Sequence, residues 1–229
     1  MNSAPCLGPS VSATFESLKA GLDVRAGGRI VAAVADAFAT GFPALDEALS
    51  GGFPRGTVGT FEGAPSAGKT ALVAGMLARA TADGLAAIVD DGSLYPPDLE
   101  RAGVVLERLL IATAVSPLEI ARSADILLRA KAFSLVVMPA VPLRGTVWSR
   151  LCGLAQKSGT LLLSLALHPS TELAYFASTR VRCAIDRVVW ADGSGLMGGL
   201  AGYEMHAHVL KHKRAAPGAV ARLHIGAAS

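Results

Sequence analysis

The sequence predicts an α/β domain: a central, mostly parallel β-sheet flanked by helices. Three observations predict it. From residue 57 onward, apolar runs of strand length alternate with segments of helical periodicity. Strands are expected at 57–62, 86–90, 109–113, 134–138 and 160–167, and helices at 69–82, 96–102, 116–131, 145–157 and 170–178. Within these strands, Leu135, Val136, Val137 and Leu161, Leu162, Leu163 are apolar at consecutive positions, so both faces of the strand are greasy, as in a parallel sheet covered on both sides. The third observation is the run Gly63-Ala64-Pro65-Ser66-Ala67-Gly68-Lys69-Thr70, the pattern G-x-x-x-x-G-K-[ST], lying between the first of these strands and the first helix.

The elements justify themselves in order. Residues 1–10 are rich in Pro, Ser and Gly and nearly uncharged, and are expected to be disordered. Val11, Phe15, Leu18 and Leu22 fall at helical spacing with Ser12 as a cap, which predicts a helical arm. Gly27-Gly28 breaks it, and a short apolar segment over 30–37 follows. Residues 40–49 read as a capped helix stopped by Gly51-Gly52. The expected division is a tip and helical arm over 1–39 and a core over 40–229. After residue 184 the pattern changes to strands alone, at 185–190, 204–211 and 219–225, with the Gly-rich stretch 192–202 as a hairpin connection. This gives the core a β-hairpin-rich C-terminal edge.

Bulk properties narrow the function classes. A chain of 229 residues, 52% hydrophobic and 17% charged, builds one sizeable core, or one core plus a small arm. Its longest apolar stretches, such as 161–167, are too short to span a bilayer, and no basic-then-apolar signal segment opens the sequence; no membrane association and a cytoplasmic location are expected. Cys6, Cys152 and Cys183 are too widely spaced for a zinc site or a disulfide framework, so reduced thiols are expected. The net charge is +3, so any basic surface for nucleic acid must be local.

The Gly63–Thr70 run carries the most chemistry. Its glycines let backbone N–H groups converge on an anion, Lys69 reaches the β- and γ-phosphates, and the Thr70 hydroxyl ligates Mg²⁺. The expected cofactor is ATP or ADP with Mg²⁺, seated on a helix N-terminus. The competing readings are a purely structural loop and a loop that has lost its nucleotide. Elsewhere the readings are blander. His206, His208, His212 and His224 alternate with apolar residues on strands, without a Cys or carboxylate at ligand spacing, and read as solvated or structural. Trp148 and Trp190 read as core or rim residues, and Ser66 and Ser164 lack a His/Asp context for nucleophilic catalysis.

Three further stretches resemble the RecA-type recombinase core. They are Thr40-Gly-Phe-Pro-Ala-Leu-Asp-Glu-Ala-Leu49 followed by Gly52-Phe-Pro-Arg-Gly56, Tyr175-Phe-Ala-Ser-Thr-Arg-Val181, and Leu210-Lys-His-Lys-Arg-Ala-Ala-Pro217. The resemblance spans about residues 11–229. It implies that Lys211 and Lys213 reach across to a neighbouring subunit's nucleotide; from charge alone, with Arg214 beside them, they read as a solvated edge. It also implies that Tyr95 packs the nucleotide ring, where Tyr95-Pro96-Pro97 alone reads equally as a helix start. The departures matter more. Where the family holds Mg²⁺ with an Asp, this chain has Met138-Pro139; where it has a water-positioning Glu, Asp91 or Gly92 stands, leaving Asp91 as the catalytic candidate; where it has a γ-phosphate-sensing Gln, Leu167 or His168 stands. Both DNA-binding loops are clipped, at 138–160 and 167–175. Phosphoryl transfer depends on positioning and charge stabilisation, so these losses imply nucleotide binding with weak hydrolysis.

That pattern of losses resembles the bacterial ImuA-type proteins of the SOS response, encoded with translesion polymerases. The resemblance implies a nucleotide-binding regulator that supports error-prone synthesis. It would contact RecA, translesion polymerase subunits or copies of itself, with weak DNA binding through Lys211, Lys213, Arg214 and Arg222. The alternative is an active, DNA-stimulated ATPase that binds single strands.

Overall fold

The computed structural model describes residues 22–25, 29–32, 37–191, 199–213 and 217–226. The expected disorder over 1–10, the helical arm up to residue 21, Arg214 and most of the 192–202 connection lie outside the described residues. The chain divides into two units, residues 1–36 and 37–229. In the first, β1 (Leu22–Arg25) and β2 (Arg29–Ala32) pair antiparallel, with Arg25 opposite Arg29. Leu22, placed by its periodicity at the end of the arm helix, is therefore the first residue of a strand.

The second unit begins with β3 (Ala37–Phe38), paired antiparallel with β4 (Phe53–Pro54). Between them lies α1 (Pro43–Ala48). Its start is fixed by Asp46, whose carboxylate accepts hydrogen bonds from Thr40 N–H (2.7 Å), the Thr40 hydroxyl (2.8 Å) and Gly41 N–H (3.3 Å). Then come β5 (Val58–Glu62), α2 (Lys69–Asp83), β6 (Leu85–Asp90), α3 (Pro96–Arg101), β7 (Leu109–Thr113), α4 (Pro117–Ala130), β8 (Phe133–Pro139), α5 (Gly145–Ser158), β9 (Leu161–Ala166) and α6 (Thr171–Phe176). The chain closes with β10 (Thr179–Trp190), β11 (Leu200–His212) and β12 (Val220–Gly226).

These strands build one eight-stranded sheet in the order β12-β11-β10-β5-β9-β8-β6-β7. The pairs from β5 through β9, β8 and β6 to β7 are parallel, and β10, β11 and β12 pair antiparallel. The expected mostly parallel α/β fold is thus the observed one. β10 starts at Thr179, six residues earlier than the alternation of the sequence suggests, because Thr179–Arg182 pair parallel with Gly59–Glu62 before the strand runs on as a hairpin arm.

The core is two-layered. On one face of the sheet, Leu72, Met76 and Leu77 of α2, Leu45 of α1 and Leu99 of α3 pack over Phe61, Leu135, Leu163 and Val181. On the other, Ile120 and Leu128 of α4, Trp148 and Leu151 of α5 and Leu173 of α6 pack over Val58, Val136, Met138 and Leu162. Apolar burial on both faces is what the consecutive Leu and Val positions require. The α4 helix is opened by a capping box, Ser116 with Glu119, whose backbone hydrogen bonds also hold the Glu119 carboxyl below its ordinary range.

Trp148 is fully buried, yet its indole N–H has no hydrogen-bond partner among the described residues. Trp148→Ala is therefore expected to cost about 3–5 kcal/mol. Trp148→Phe, which keeps most of the volume and removes the orphaned donor, should cost less than about 1.5 kcal/mol. Urea denaturation of both variants checks this; equal losses would show that the indole N–H is satisfied after all.

Candidate nucleotide-binding site

The phosphate loop is built by close approach. Gly63 follows β5 with φ +149°, and its N–H donates to the carbonyls of Ala166 (3.2 Å) and Leu167 (3.3 Å) at the end of β9. A Cβ at this position would lie 2.4 Å from the Cys183 carbonyl oxygen, so the loop departs from the sheet through a gap that admits glycine alone. Gly68, at φ +80°, caps α2, and a Cβ there would meet the Met205 sulfur at 2.8 Å. The α2 helix thus begins at Lys69 with its N-terminus turned to the loop, which favours negative charge there.

Lys69 lies within this cradle. Its Nζ donates to the carbonyls of Gly63 (2.5 Å) and Ala64 (2.7 Å), closing the loop on itself. Burial pulls its pKa below the ordinary lysine value. The neighbouring Cys183 thiol is pushed up to about 12 by its own burial, so at neutral pH it is uncharged and does not act as a counter-ion. A polyphosphate would draw the amine off the two carbonyls.

Two cavities flank the loop. One, of about 320 Å³, is lined by Thr70, Asp90, Asp91, Tyr95, Met138 and Pro139 among others, at the carboxyl ends of β6 and β8. It brings together residues that the sequence singles out from separate segments: the Mg²⁺-ligand candidate Thr70, the catalytic candidate Asp91 and the ring-contact candidate Tyr95. Asp91 and Tyr95 are exposed. Asp91 accepts a hydrogen bond from Ser93 N–H, and Asp90 from Leu94 N–H (3.1 Å), so both carboxylates are oriented by the turn that leads into α3. Met138, near the carboxyl end of β8, is fully buried on the wall of this cavity. The second cavity, of about 330 Å³, lies over residues 66–71 and is walled by Ile185 and Tyr203 from β10 and β11.

The cradle fits a nucleotide's phosphates: a glycine-gated loop, a helix N-terminus, Lys69 and Thr70. For Mg²⁺ the fit is thinner. Thr70 offers a hydroxyl, and no cluster of three or more His, Cys, Asp or Glu suited to a metal occurs among the described residues. The phosphates and Thr70 would have to hold the ion, with Asp90, Asp91 and Asp98 as the acids in the same cavity.

The remaining sequence candidates lie elsewhere. The Lys211 Nζ donates to the carbonyls of Ala174 (3.0 Å) and Tyr175 (2.9 Å), satisfying the C-terminus of α6 in its own chain. Burial, then Lys213 and Arg180, lower its pKa. Reaching a neighbour would mean releasing those carbonyls. Lys213 is exposed, and Arg222 is exposed on the edge strand β12, opposite His206. His206 itself meets Asp186 at 2.7 Å, and Cys152 and Cys183 are free thiols.

Sequence reasoning missed Ile185 and Tyr203, which reach the loop once the β10–β11 pair is built. It also missed a buried ion pair behind the loop. Glu62, the last residue of β5, is 3% exposed and accepts two hydrogen bonds from the Arg180 guanidinium, at 3.0 and 3.1 Å. The signal was a lone acid closing a strand whose five residues are all buried.

Comparison with known proteins adds the lineage. The RecA N-terminal domain family model matches residues 20–144. Protein RecA of Methylococcus capsulatus is 34% identical over 143 residues, 61% of this chain and 41% of the relative, and Protein RecA of Rubrobacter xylanophilus is 36% identical over 144 residues, 62% and 42%. The matches thus span about two-fifths of these relatives' length. The crystal structure of the RadB recombinase superposes with a TM-score of 0.63 at 19% identity, covering 82% of this chain and 96% of that one, a likeness of fold. No helix among the described residues is long and apolar enough to cross a membrane. With more than half of its length matched by the family model, the chain belongs to the RecA N-terminal domain family.

Proposed function

We propose that this protein is a RecA-like, nucleotide-binding regulator of the ImuA type. It supports error-prone translesion synthesis in the SOS response and modulates RecA filaments by protein contact. One observation carries the reading: an intact phosphate cradle stands beside a fully buried Met138 at the metal-holding position, so binding is retained while the means of turnover is reduced.

A surface for contact supports it. β7 is an edge strand with Leu110 and Ile111 exposed, and Val115, Leu118 and Ile126 are exposed on the segment that follows. An open edge flanked by apolar side chains is a template for pairing with another chain. Filament contacts run front to back, so a subunit with one serviceable face joins an end and blocks growth.

The test mixes the protein with RecA on single-stranded DNA. Filament growth should slow well below one copy per RecA, and Leu110→Lys or the Lys211→Glu/Lys213→Glu pair should relieve the effect. Inhibition that needs excess protein and vanishes with surplus DNA would mean competition for DNA. Any such DNA binding, through Lys211, Lys213, Arg214 and Arg222, should fall steeply with salt. No effect at any ratio would turn the reading towards a polymerase adaptor. The second reading, a DNA-stimulated ATPase that binds single strands, draws on Asp91, which lines the Thr70 cavity. Turnover abolished by both Lys69→Ala and Asp91→Asn would favour it.

A further inference from the structure

We propose that the Glu62–Arg180–Lys211 seam passes the state of the phosphate loop to α6 and to the surface around Tyr175. The inference rests on the nucleotide reading above and adds what that site controls. The sheet has two faces, and the seam lies on the one away from α2. Glu62 ends β5, immediately before Gly63. Its carboxylate is held by both ends of the Arg180 fork. Arg180 on β10 is directly opposite Lys211 on β11, so their side chains leave the same face. The Lys211 amine closes α6 by donating to Ala174 and Tyr175. Tyr175 is 74% exposed and stacks edge-on against Phe176. The phosphate loop and an exposed aromatic surface are thus joined through three charged side chains.

The seam has a driver. Without a nucleotide, Lys69 holds the Gly63 and Ala64 carbonyls. A polyphosphate competes for that amine, and its negative charge also arrives next to the buried Glu62 carboxylate. Both changes act on the residue that anchors Arg180. Like-charge repulsion between the phosphates and Glu62 loosens the carboxylate's hold on the Arg180 guanidinium, and a shift of that guanidinium changes the like-charge repulsion that partly lowers the Lys211 pKa. A second contact runs beside the first: Gly63 N–H is bonded to the end of β9, the strand that precedes α6. Two further polar groups lie on the same sheet face, Thr60 beside Arg180 and Ser164 beside Thr60, and their hydroxyls are buried without a hydrogen-bond partner among the described residues. Unpaired hydroxyls in a low-dielectric strip are costly, so an arrangement of the strip that gives either one a partner is favoured.

Coupling of this kind is reciprocal. If the phosphate loop acts on α6 through Lys211, then loosening α6 at Lys211 must change nucleotide affinity by the same factor. The experiment uses the full chain at a dilution where sedimentation shows monomers, with ADP and Mg²⁺ as the probe. Affinity is read by calorimetry, and order in α6 by backbone hydrogen exchange over residues 171–178. In the wild type, ADP should change exchange in that segment by about fivefold or more. Lys211→Met should shift ADP affinity by a similar factor and erase the exchange response. Glu62→Gln should erase the response while leaving ADP bound. Should either variant fail to fold, the other answers alone, because each cuts a different link. A wild-type response that persists undiminished in a folded variant, or wild-type ADP binding with no response in α6, overturns the seam and leaves the nucleotide reading standing. Absence of ADP binding in the wild type overturns both.

Discussion

Nucleotide with Mg²⁺, at about a hundred times its Kd, is expected to stabilise the fold by about 2.7 kcal/mol, and Lys69→Ala to abolish that gain. For a chain of this size the shift corresponds to a rise of about 5–10 °C in melting temperature. The warrant is mass action: a ligand that binds the folded cradle and not the unfolded chain pulls the equilibrium towards the folded state. Lys69 is the decisive residue because it is the cradle's own cation, poised on the Gly63 and Ala64 carbonyls. Removing it should leave the unliganded fold nearly unchanged, since the loop geometry is set by Gly63 against Cys183 and Gly68 against Met205. The variant's baseline melting temperature therefore serves as the internal control. A thermal shift that survives in Lys69→Ala would place the nucleotide elsewhere. No shift in the wild type with either ATP or ADP would mark the loop as one that has lost its ligand.

Much of this site was legible in the sequence because its parts are local. The loop is a contiguous run, its strand and helix are its immediate neighbours, and the expected boundaries of α2 and β7 fall within a residue of those observed. Consecutive Leu and Val positions announced strands covered on both faces, and the sheet buries them so. What stayed hidden depends on chain segments distant in sequence. Glu62 and Arg180 are 118 positions apart, and only the parallel pairing of β5 with β10 makes them partners. Tyr203 and Ile185 reach the phosphate loop because β10 and β11 run on past the point where β5 ends. The start of β10 is hidden for a related reason: Thr179, Arg180 and Arg182 are polar and interrupt the apolar alternation that sets the expected strand start at 185, yet Thr179 is buried and Arg180 has a buried anion to pair with. The short β3–β4 pair carries two residues per strand, too few for any periodicity to register.

The ion pair behind the loop sets the second large expected effect, on stability rather than on ligand. Arg180→Met should destabilise the protein by about 3 kcal/mol or more, because it strands a carboxylate that is 3% exposed. The Arg180 side chain is itself 23% exposed, so some water reaches the pair and the loss should fall at the lower end of the range for broken buried pairs. Glu62→Gln removes the charge and keeps a hydrogen-bonding group of the same shape, so it should cost less than Arg180→Met. The combination Glu62→Leu with Arg180→Met removes both charges and places apolar volume beside Ala166, and should recover most of the loss. Such non-additivity is the signature of a pair that interacts directly. Urea denaturation of the wild type, both single variants and the double variant closes the cycle. If the double variant is as unstable as the sum of Glu62→Leu and Arg180→Met, the two side chains contribute independently, and the seam from the phosphate loop to α6 has no mechanical first link. If the double variant folds well but no longer transmits nucleotide binding to α6, then the charge pair was retained for coupling at no gain in stability. That would fit its place directly behind the phosphate loop, between Gly63 and the Lys211 that closes α6.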